Sequence, residues 1–162
     1  MSPNVQNFLR LVKHPVKFRM FLFAKLPAAF FSGVRIKEID EERSVVSVPY
    51  KWLTQNPFRS TYFASLAMAA EMSTGVLGMM HVYKRTPSVS MLITNMEASY
   101  FKKATGKTFF VCEDGKQIHD AIEESIATRE PKSITVKSTG TNKNDEVIAA
   151  FLFTWSFKVK KI

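Results

Sequence analysis

One ionisable side chain lies in the middle of the most apolar stretch of the sequence. From position 60 to 83 the chain reads STYFASLAMAAEMSTGVLGMMHVY, and Glu71 is the only residue in it that is charged at neutral pH. A buried carboxylate without a partner is costly or shifts its pKa, so it is kept where chemistry or a specific hydrogen bond uses it. Glu71 is therefore the leading candidate for a general base or nucleophile. The alternative is a structural carboxylate, bonded to a backbone amide or across a subunit interface.

The other side chains that could do chemistry form no recognisable set. Ser73 and Thr74 follow Glu71, but the sequence supports no serine–histidine–aspartate arrangement. Cys112 is the only cysteine, so no intramolecular disulfide and no cluster of thiolate ligands can form. The histidines fall in separate predicted elements without the spacing of metal ligands, which predicts surface or capping roles and no metal site. They are His14, His81 and His119.

The net charge of the chain indicates which kinds of partner it could bind. A formal net charge of +9 suits nucleic acid, an anionic membrane surface or a phosphorylated small ligand. The basic residues are spread along the chain without a dense block, which disfavours nucleic acid. The N-terminus shows no secretory signal and the chain can form no internal disulfide, so we expect a cytoplasmic protein.

The hydrophobic pattern predicts a mixture of helices and strands. Apolar residues between positions 4 and 31 predict two or three short helices, interrupted at Pro15 and Pro27. Two β-branched runs predict a first hairpin, and two further strands joined through a turn at Gly106 predict a second pair. A short amphipathic helix and a final hairpin follow. The ranges are 34–40 and 44–50 for the first hairpin, 88–101 and 107–113 for the second pair, 116–127 for the helix, and 133–139 and 147–159 for the final hairpin.

The segment 60–83 predicts a long helix that is apolar on nearly all faces. Such a helix must be buried all round, and the predicted sheet is the surface available to bury it. A membrane span is disfavoured because Glu71, several hydroxyl side chains and two glycines interrupt the segment. The sequence therefore predicts an α+β fold in a single domain, 1–162, with an antiparallel sheet curved around a buried helix. Residues 1–32 form an N-terminal helical extension and residues 34–160 the core.

Three segments resemble the hotdog-fold acyl-CoA thioesterases, in particular the phenylacetic-acid-degradation type and its uncharacterised relatives. NPFRSTYFASLAMAAE places Asn56 fifteen residues before Glu71, which is similar to the asparagine ahead of the helix and the acid on it in that superfamily. ASYFKKATGKTFFV resembles the strand and turn that follow, although Lys103 stands where proline is usual. DEVIAAFLFTWSF is similar to the last strand. The resemblance covers about residues 34–160.

The resemblance implies an assembly and a chemistry. It implies a homodimer, possible pairing of dimers into a tetramer, and a ligand tunnel at the dimer interface for an acyl-CoA or related thioester, with no cofactor besides the coenzyme A of the substrate. Glu71 is then the nucleophile or the general base. The backbone N–H of Phe63 or Ala64 stabilises the oxyanion, because a helix N-terminus offers unpaired donors and a positive dipole end. Asn56 either contacts substrate or water or caps the helix.

The same segments depart from the superfamily pattern at two places. Tyr62, Phe63 and Ala64 replace a His-Gly-Gly turn, and the Phe63 side chain adds bulk where the thioester carbonyl would lie. A second polar residue, carried by some relatives on the strand after the helix, aligns with an isoleucine here, so Thr94 or Asn95 can replace it only if the register shifts.

Further residues are predicted to bind the substrate. Tyr62 and Met68 would form pocket wall, and a methionine-rich wall suits a flexible acyl chain as well as a core. Lys102 and Lys103, with Lys84 and Arg85, either meet the phosphates of coenzyme A or form a solvated face. Two functions follow: a thioesterase, favoured by the isolated Glu71, and a non-catalytic acyl- or coenzyme A-binding or scaffold protein, favoured by Phe63.

Overall fold

Three short helices begin the chain, each with proline at its first position. The computed structural model describes residues 2–160. The helices are α1 (Pro3–Lys13), α2 (Pro15–Lys25) and α3 (Pro27–Ser32). Proline suits this position because its fixed φ is helical and its missing N–H would have no intrahelical acceptor. The breaks predicted at Pro15 and Pro27 are confirmed. His14 caps α2, since its Nδ1 accepts the N–H groups of Val16 and Lys17, each at 3.3 Å.

A six-stranded antiparallel sheet and two further α-helices follow. The elements are β1 (Arg35–Ile39), β2 (Ser44–Val48), a 3-10 turn (Trp52–Thr54), α4 (Phe63–Val82), β3 (Val89–Tyr100), β4 (Thr108–Cys112), α5 (Gly115–Thr128), β5 (Lys132–Thr141) and β6 (Val147–Val159). The strand order is β1-β2-β4-β5-β6-β3. The predicted first and final hairpins are confirmed by the antiparallel pairs β1–β2 and β5–β6.

The predicted pairing of the third strand with the fourth is wrong. β3 instead pairs with β6 along its whole length, from Val89 opposite Val159 to Tyr100 opposite Ala149. The two strands have 12 and 13 residues, whereas β4 has five and could satisfy less than half of β3. β4 lies between β2 and β5, and the connection to it from β3 is held by the Thr61 N–H, which donates to the Ala104 carbonyl at 2.8 Å.

Helix α4 is the core helix of the fold. It packs against β2, β4 and β5, and also against α5 and α1, so helices complete the burial that the sequence assigned to the sheet alone. It is long and apolar enough to span a membrane, with a mean hydropathy of 1.3 over 18 residues, but 67% of that window is buried inside the fold. Two buried hydroxyl groups in this layer are paired with each other: Ser73 Oγ bonds Ser138 Oγ at 2.7 Å.

The sheet supplies the other half of the core. Alternate residues of β6 from position 149 to 159 face inward, as the period-two pattern predicts, and Phe151, Phe153 and Phe157 are almost inaccessible. On α5, Ile118 and Ile122 are buried against the same core. The N-terminal helices join it through the buried faces of α1 and α2.

Candidate active site

Glu71 lies in the wall of an apolar cavity of about 320 Å³, hereafter the Glu71 cavity. It lies between the N-terminal helices, α4 and the β3–β6 pair, and opens to solvent. Glu71 is the only residue in the lining with an ionised group at neutral pH, and the volume is at the lower end of the range for small-molecule sites, about 300 Å³ upward. The lining residues are Phe8, Leu11, Val12, Phe18, Phe21, Leu22, Leu26, Glu71, Met72, Gly75, Val76, Met79, Tyr83, Met91 and Trp155.

The carboxylate is positioned by the next turn of α4. A Cβ atom at Gly75 would lie 2.8 Å from Glu71 Oε1 and 3.2 Å from Trp155 Cζ2, so only glycine leaves this space for the carboxylate. Trp155 is fixed in turn, because its indole N–H donates to Thr74 Oγ1 at 2.9 Å. The Thr74 hydroxyl itself donates to the Glu71 carbonyl at 2.9 Å. The carboxylate therefore lies against a rigid aromatic wall.

Burial alone perturbs this carboxyl group. Desolvation raises the pKa of Glu71 to about 7, with no charged or hydrogen-bonding neighbour contributing. Within residues 2–160 no donor bonds the carboxylate. Of the two structural alternatives, the bond to a backbone amide is therefore not found in the described chain, and the bond across a subunit interface stays a prediction. A carboxyl group with this pKa exchanges its proton near neutral pH, which is the property of a general base.

A second depression, hereafter the α4 groove, lies at the N-terminus of α4 and gathers five of the predicted site residues. Its volume is about 520 Å³. Asn56 Oδ1 accepts the N–H groups of Phe58 at 3.0 Å and Ser60 at 3.2 Å, so it organises the turn before α4. In the described chain the N–H groups of Phe63 and Ala64 have no acceptor, as expected for a helix N-terminus. The predicted residues in the lining are Asn56, Tyr62, Phe63, Lys102 and Lys103.

The two depressions are not one site within a single chain. Phe63 and Glu71 are eight residues apart on the same helix, which places their backbones about 12 Å apart along the helix axis at 1.5 Å per residue. A thioester carbonyl cannot contact both the Phe63 N–H and the Glu71 carboxylate of one chain. The structure therefore separates the predicted base from the predicted oxyanion donors.

The remaining predicted residues lie outside the Glu71 cavity. Thr94 is the extra residue of a β-bulge, because Ile93 faces Trp155 and Asn95 faces Thr154. Both Thr94 and Asn95 are exposed on β3 and their role in binding stays a prediction, as does that of the half-buried Met68 on α4.

The lysines of the α4 groove differ in their availability. Lys102 Nζ contacts the Glu146 carboxylate, whereas Lys103 Nζ has only the Phe58 carbonyl, at 3.4 Å. At the other end of α4, Arg85 is bound by both carboxylate oxygens of Glu123, at 2.5 and 2.7 Å. Lys103 is thus the better placed cation for a phosphate at the groove.

The predicted surface role of His81 is wrong. His81 is 94% buried at the end of α4, its ring centroid 4.7 Å from that of His119 on α5. Burial and then the charges of His119 and Arg85 lower its pKa to about 4, against the opposing effect of Glu123. Within residues 2–160 no group of three His, Cys, Asp or Glu side chains has metal-binding geometry.

Sequence reasoning missed Gly75, Trp155 and the contribution of α1 and α2 to the Glu71 cavity. Gly75 could have been found, since it stands one helical turn after the only acid of α4. Trp155 and the N-terminal helices could not have been found from the sequence, because their contact with Glu71 depends on packing between segments that are far apart in the chain.

A family model matches residues 17–157, which is most of the chain. The family is described as a domain of unknown function, DUF4442. The chain belongs to the DUF4442 family. No curated protein matches the sequence of this DUF4442 protein.

Several solved structures share the fold of this DUF4442 protein. A Pseudomonas aeruginosa protein of unknown function, described as a probable thioesterase, aligns with a TM-score of 0.75 and 17% identity over 90% of this chain and 97% of that chain. The Escherichia coli PaaI protein of the phenylacetic acid degradation operon aligns at 0.65 and 11% over 98% and 96%. A Haemophilus influenzae thioesterase aligns at 0.64 and 11% over 90% and 91%. These TM-scores establish the shared fold alone, and the predicted hotdog fold is confirmed.

Proposed function

We propose that this protein hydrolyses acyl thioesters such as acyl-CoA, with Glu71 as general base or nucleophile. The observation that carries the proposal is the position of the Glu71 carboxylate, unpaired within residues 2–160, in the wall of an apolar cavity. Its pKa of about 7 suits proton transfer near neutral pH. The thioesterases among the structural neighbours support the same class of reaction. Coenzyme A enters as part of the substrate, and the reaction needs no other cofactor.

The general-base route uses groups that the chain provides. The Glu71 carboxylate takes a proton from a water molecule while the water oxygen attacks the thioester carbonyl carbon. The carbonyl oxygen becomes an oxyanion, which the free N–H of Phe63 or Ala64 stabilises. Collapse of this adduct breaks the C–S bond, and the departing sulfur takes the proton from Glu71. In the nucleophile route Glu71 attacks the carbonyl carbon itself, the C–S bond breaks, and the coenzyme A thiolate leaves and takes a proton from solvent. Water then hydrolyses the resulting anhydride, which releases the acid and restores the Glu71 carboxylate.

A second copy of the chain supplies the oxyanion donors in this proposal. The 12 Å separation along α4 prevents one chain from placing both groups on one carbonyl, so Glu71 works with the α4 N-terminus of its partner. Strand β3 is the long edge of the sheet, and an unpaired edge is a template for another strand. A two-fold dimer through β3 would form two equivalent sites. Lys103 and Asn56 of the α4 groove would then face the coenzyme A.

The test is thiol release from acyl-CoA substrates of short to long chain. Glu71→Gln keeps the shape of the side chain and removes the base, so turnover should fall by about two or more powers of ten. The kcat/KM of the wild type should rise with pH through about 7, since the deprotonated carboxylate is the active form. Glu130→Gln, at an exposed carboxylate after α5, is the matched control. Absence of thiol release from the wild type across the whole series would contradict the proposal.

One observation favours the alternative of a non-catalytic acyl- or coenzyme A-binding protein. The Phe63 side chain packs edge-to-face on Tyr62, with ring centroids 4.8 Å apart, and lines the α4 groove. Phe63→Gly should open the groove. Thiol release that appears in this variant and disappears again with Glu71→Gln would indicate a blocked hydrolase. Acyl-CoA binding without release from either protein would favour the binding function.

A further inference from the structure

Helix α2 is apolar on two opposite faces, and the fold covers only one of them. Its inner face lines the Glu71 cavity through Phe18 and Leu22. Its outer face carries Val16, Met20 and Phe23 at helical spacing, exposed by 59%, 66% and 57%. A helix with apolar residues all round is ordinarily buried all round. We therefore expect another surface to cover the outer face of α2.

The exposed apolar surface continues beyond α2. Phe23 packs edge-to-face against Phe30 and Phe31 of α3, at centroid distances of 5.2 and 6.1 Å, and Phe31 is itself half exposed. Leu26, at the junction of the two helices, is also exposed. We call this surface the α2–α3 face; its members are Val16, Met20, Phe23, Leu26 and Phe31.

The charge around this face has one sign. The first 37 residues contain seven basic residues and no acidic one, so they carry seven of the nine units of net charge. Lys13, Lys17 and Lys25 are exposed, and the ion pairs in the described chain involve none of them. Arg19 lies 4.0 Å over the Phe30 ring and donates to two carbonyls, so it supports the aromatic cluster.

We propose that the α2–α3 face docks on a membrane surface rich in anionic lipids. Exposed aliphatic and aromatic side chains flanked by lysines are the features with which helices lie in the lipid interface. Anionic headgroups attract the cations, and the acyl region accepts Met20 and Phe23. A second copy on a two-fold axis would instead bring the same cations together, which opposes self-association here. Nucleic acid would pair with the lysines but leave the aliphatic side chains uncovered.

The α2–α3 face lies next to the Glu71 cavity. Leu26 belongs both to the exposed face and to the lining of the Glu71 cavity. A protein docked through α2 would hold this cavity one helix away from the acyl chains of the bilayer. The docking itself does not depend on the proposed hydrolysis.

The experiment is sedimentation of the full chain with vesicles of phosphatidylcholine alone or mixed with phosphatidylglycerol. We expect binding to the mixed vesicles only, weakened by salt because the attraction is screened. Lys13→Glu/Lys17→Glu should weaken binding by about fivefold or more per charge. Met20→Ser/Phe23→Ser should weaken it at unchanged charge. Lys107→Glu/Lys143→Glu, at exposed lysines in remote loops, and Leu152→Ser on β6 are the matched controls and should bind as the wild type does.

Each other outcome overturns the proposal. Equal binding to both kinds of vesicle would show that docking does not require anionic lipid. Absence of binding to either kind would show that the face does not dock on a membrane. Equal weakening by Lys107→Glu/Lys143→Glu would make the effect one of net charge alone, and equal weakening by Leu152→Ser would show that the apolar side chains of this face have no special role. A lower molecular mass of Met20→Ser/Phe23→Ser in light scattering would assign the face to a second copy, and RNA binding in place of vesicle binding would assign it to nucleic acid. Thermal unfolding monitors the fold of every variant. The lysine variants should leave the melting temperature unchanged, and Met20→Ser/Phe23→Ser should lower it only slightly, because Phe23 loses its ring contacts with Phe30 and Phe31.

Discussion

At the scale of single residues, the position of the Glu71 carboxylate depends on the missing side chain at Gly75. A methyl group there would approach Oε1 to 2.8 Å, and the carboxylate is the flexible partner that would move. Alanine is favoured over glycine within a helix by about 1 kcal/mol, which offsets the small adjustment of Trp155. A substitution at position 75 should therefore change the activity that depends on Glu71 while it leaves the stability of the fold almost unchanged.

Gly75→Ala should lower thiol release by roughly tenfold to a hundredfold, because a displaced catalytic group loses its alignment. The free energy of unfolding should change by about 1 kcal/mol or less. Gly106→Ala is the control, because an added Cβ there meets no atom within 4 Å and lies outside the lining of the Glu71 cavity. Full activity of Gly75→Ala, measured by thiol release with stability from chemical denaturation, would mean that the carboxylate position does not matter.

The raised pKa of Glu71 also predicts how stability depends on pH. The folded-state pKa of about 7 exceeds the unfolded value near 4.5, so the folded protein retains a proton that the unfolded chain has released. This contribution is fully present below pH 4.5 and is lost as pH rises through 7. Glu71→Gln should therefore gain stability relative to the wild type between pH 5 and pH 8, as measured by chemical denaturation at both pH values. A variant less stable than the wild type at every pH would indicate a structural carboxylate with a partner.

At the scale of elements, α4 ends in a buried histidine whose Nε2 has no hydrogen-bond partner in the described chain. The folded-state pKa of His81, about 4, lies below its unfolded value near 6.5, so acid favours the unfolded chain. The loss begins as pH falls through 6.5 and is complete near 4. His81→Leu removes this linkage and the unpaired nitrogen.

His81→Leu should therefore gain melting temperature relative to the wild type when both are moved from pH 7.5 to pH 5. Comparison of the two proteins cancels the contribution of Glu71, which both retain. His119→Leu, at the half-exposed partner ring, tests whether the His81–His119 contact itself carries the effect. An equal shift of both proteins with pH would show that His81 stays protonated or solvated in the fold.

The positions of the helices and strands could be predicted from the sequence. Which of them lie side by side in the fold could be predicted only in part. Alternation identified β6 because a period of two is a local property, and the prolines identified the N-terminal helices for the same reason. The pairing of β3 with β6 was missed because alternation says which face is buried and not which strand lies beside it. Glu71 was predicted from one charge in an apolar helix. The cavity around it was not, because its wall joins Phe18 and Trp155, which are far apart in the chain.

At the scale of the whole molecule, the distance between Glu71 and the N-terminus of α4 predicts that an active site needs one group from each of two chains. Phe63→Pro removes the Phe63 N–H, and the extended conformation of Tyr62, with φ −59° and ψ 134°, suits a residue before proline. Phe63→Ala removes the same aromatic ring but keeps the N–H, so it is the matched control. If the Phe63 N–H, rather than that of Ala64, is the oxyanion donor, the Glu71→Gln and Phe63→Pro proteins should each be inactive alone and dimeric by light scattering.

Mixed in equal amounts and allowed to exchange subunits, the two inactive proteins should recover activity. In a mixed dimer one site combines the intact Glu71 of the Phe63→Pro chain with the intact N–H of the Glu71→Gln chain, while the other site lacks both groups. Since about half of the dimers are mixed and one of their two sites is active, thiol release should reach about a quarter of the wild-type rate. Phe63→Ala, which loses the ring but keeps both the N–H and Glu71, should be active on its own, so inactivity of Phe63→Pro would be due to the missing N–H and not to the missing ring. A stable monomer, or a mixture that stays inactive although its subunits exchange, would mean that both groups do not act on one carbonyl across the dimer.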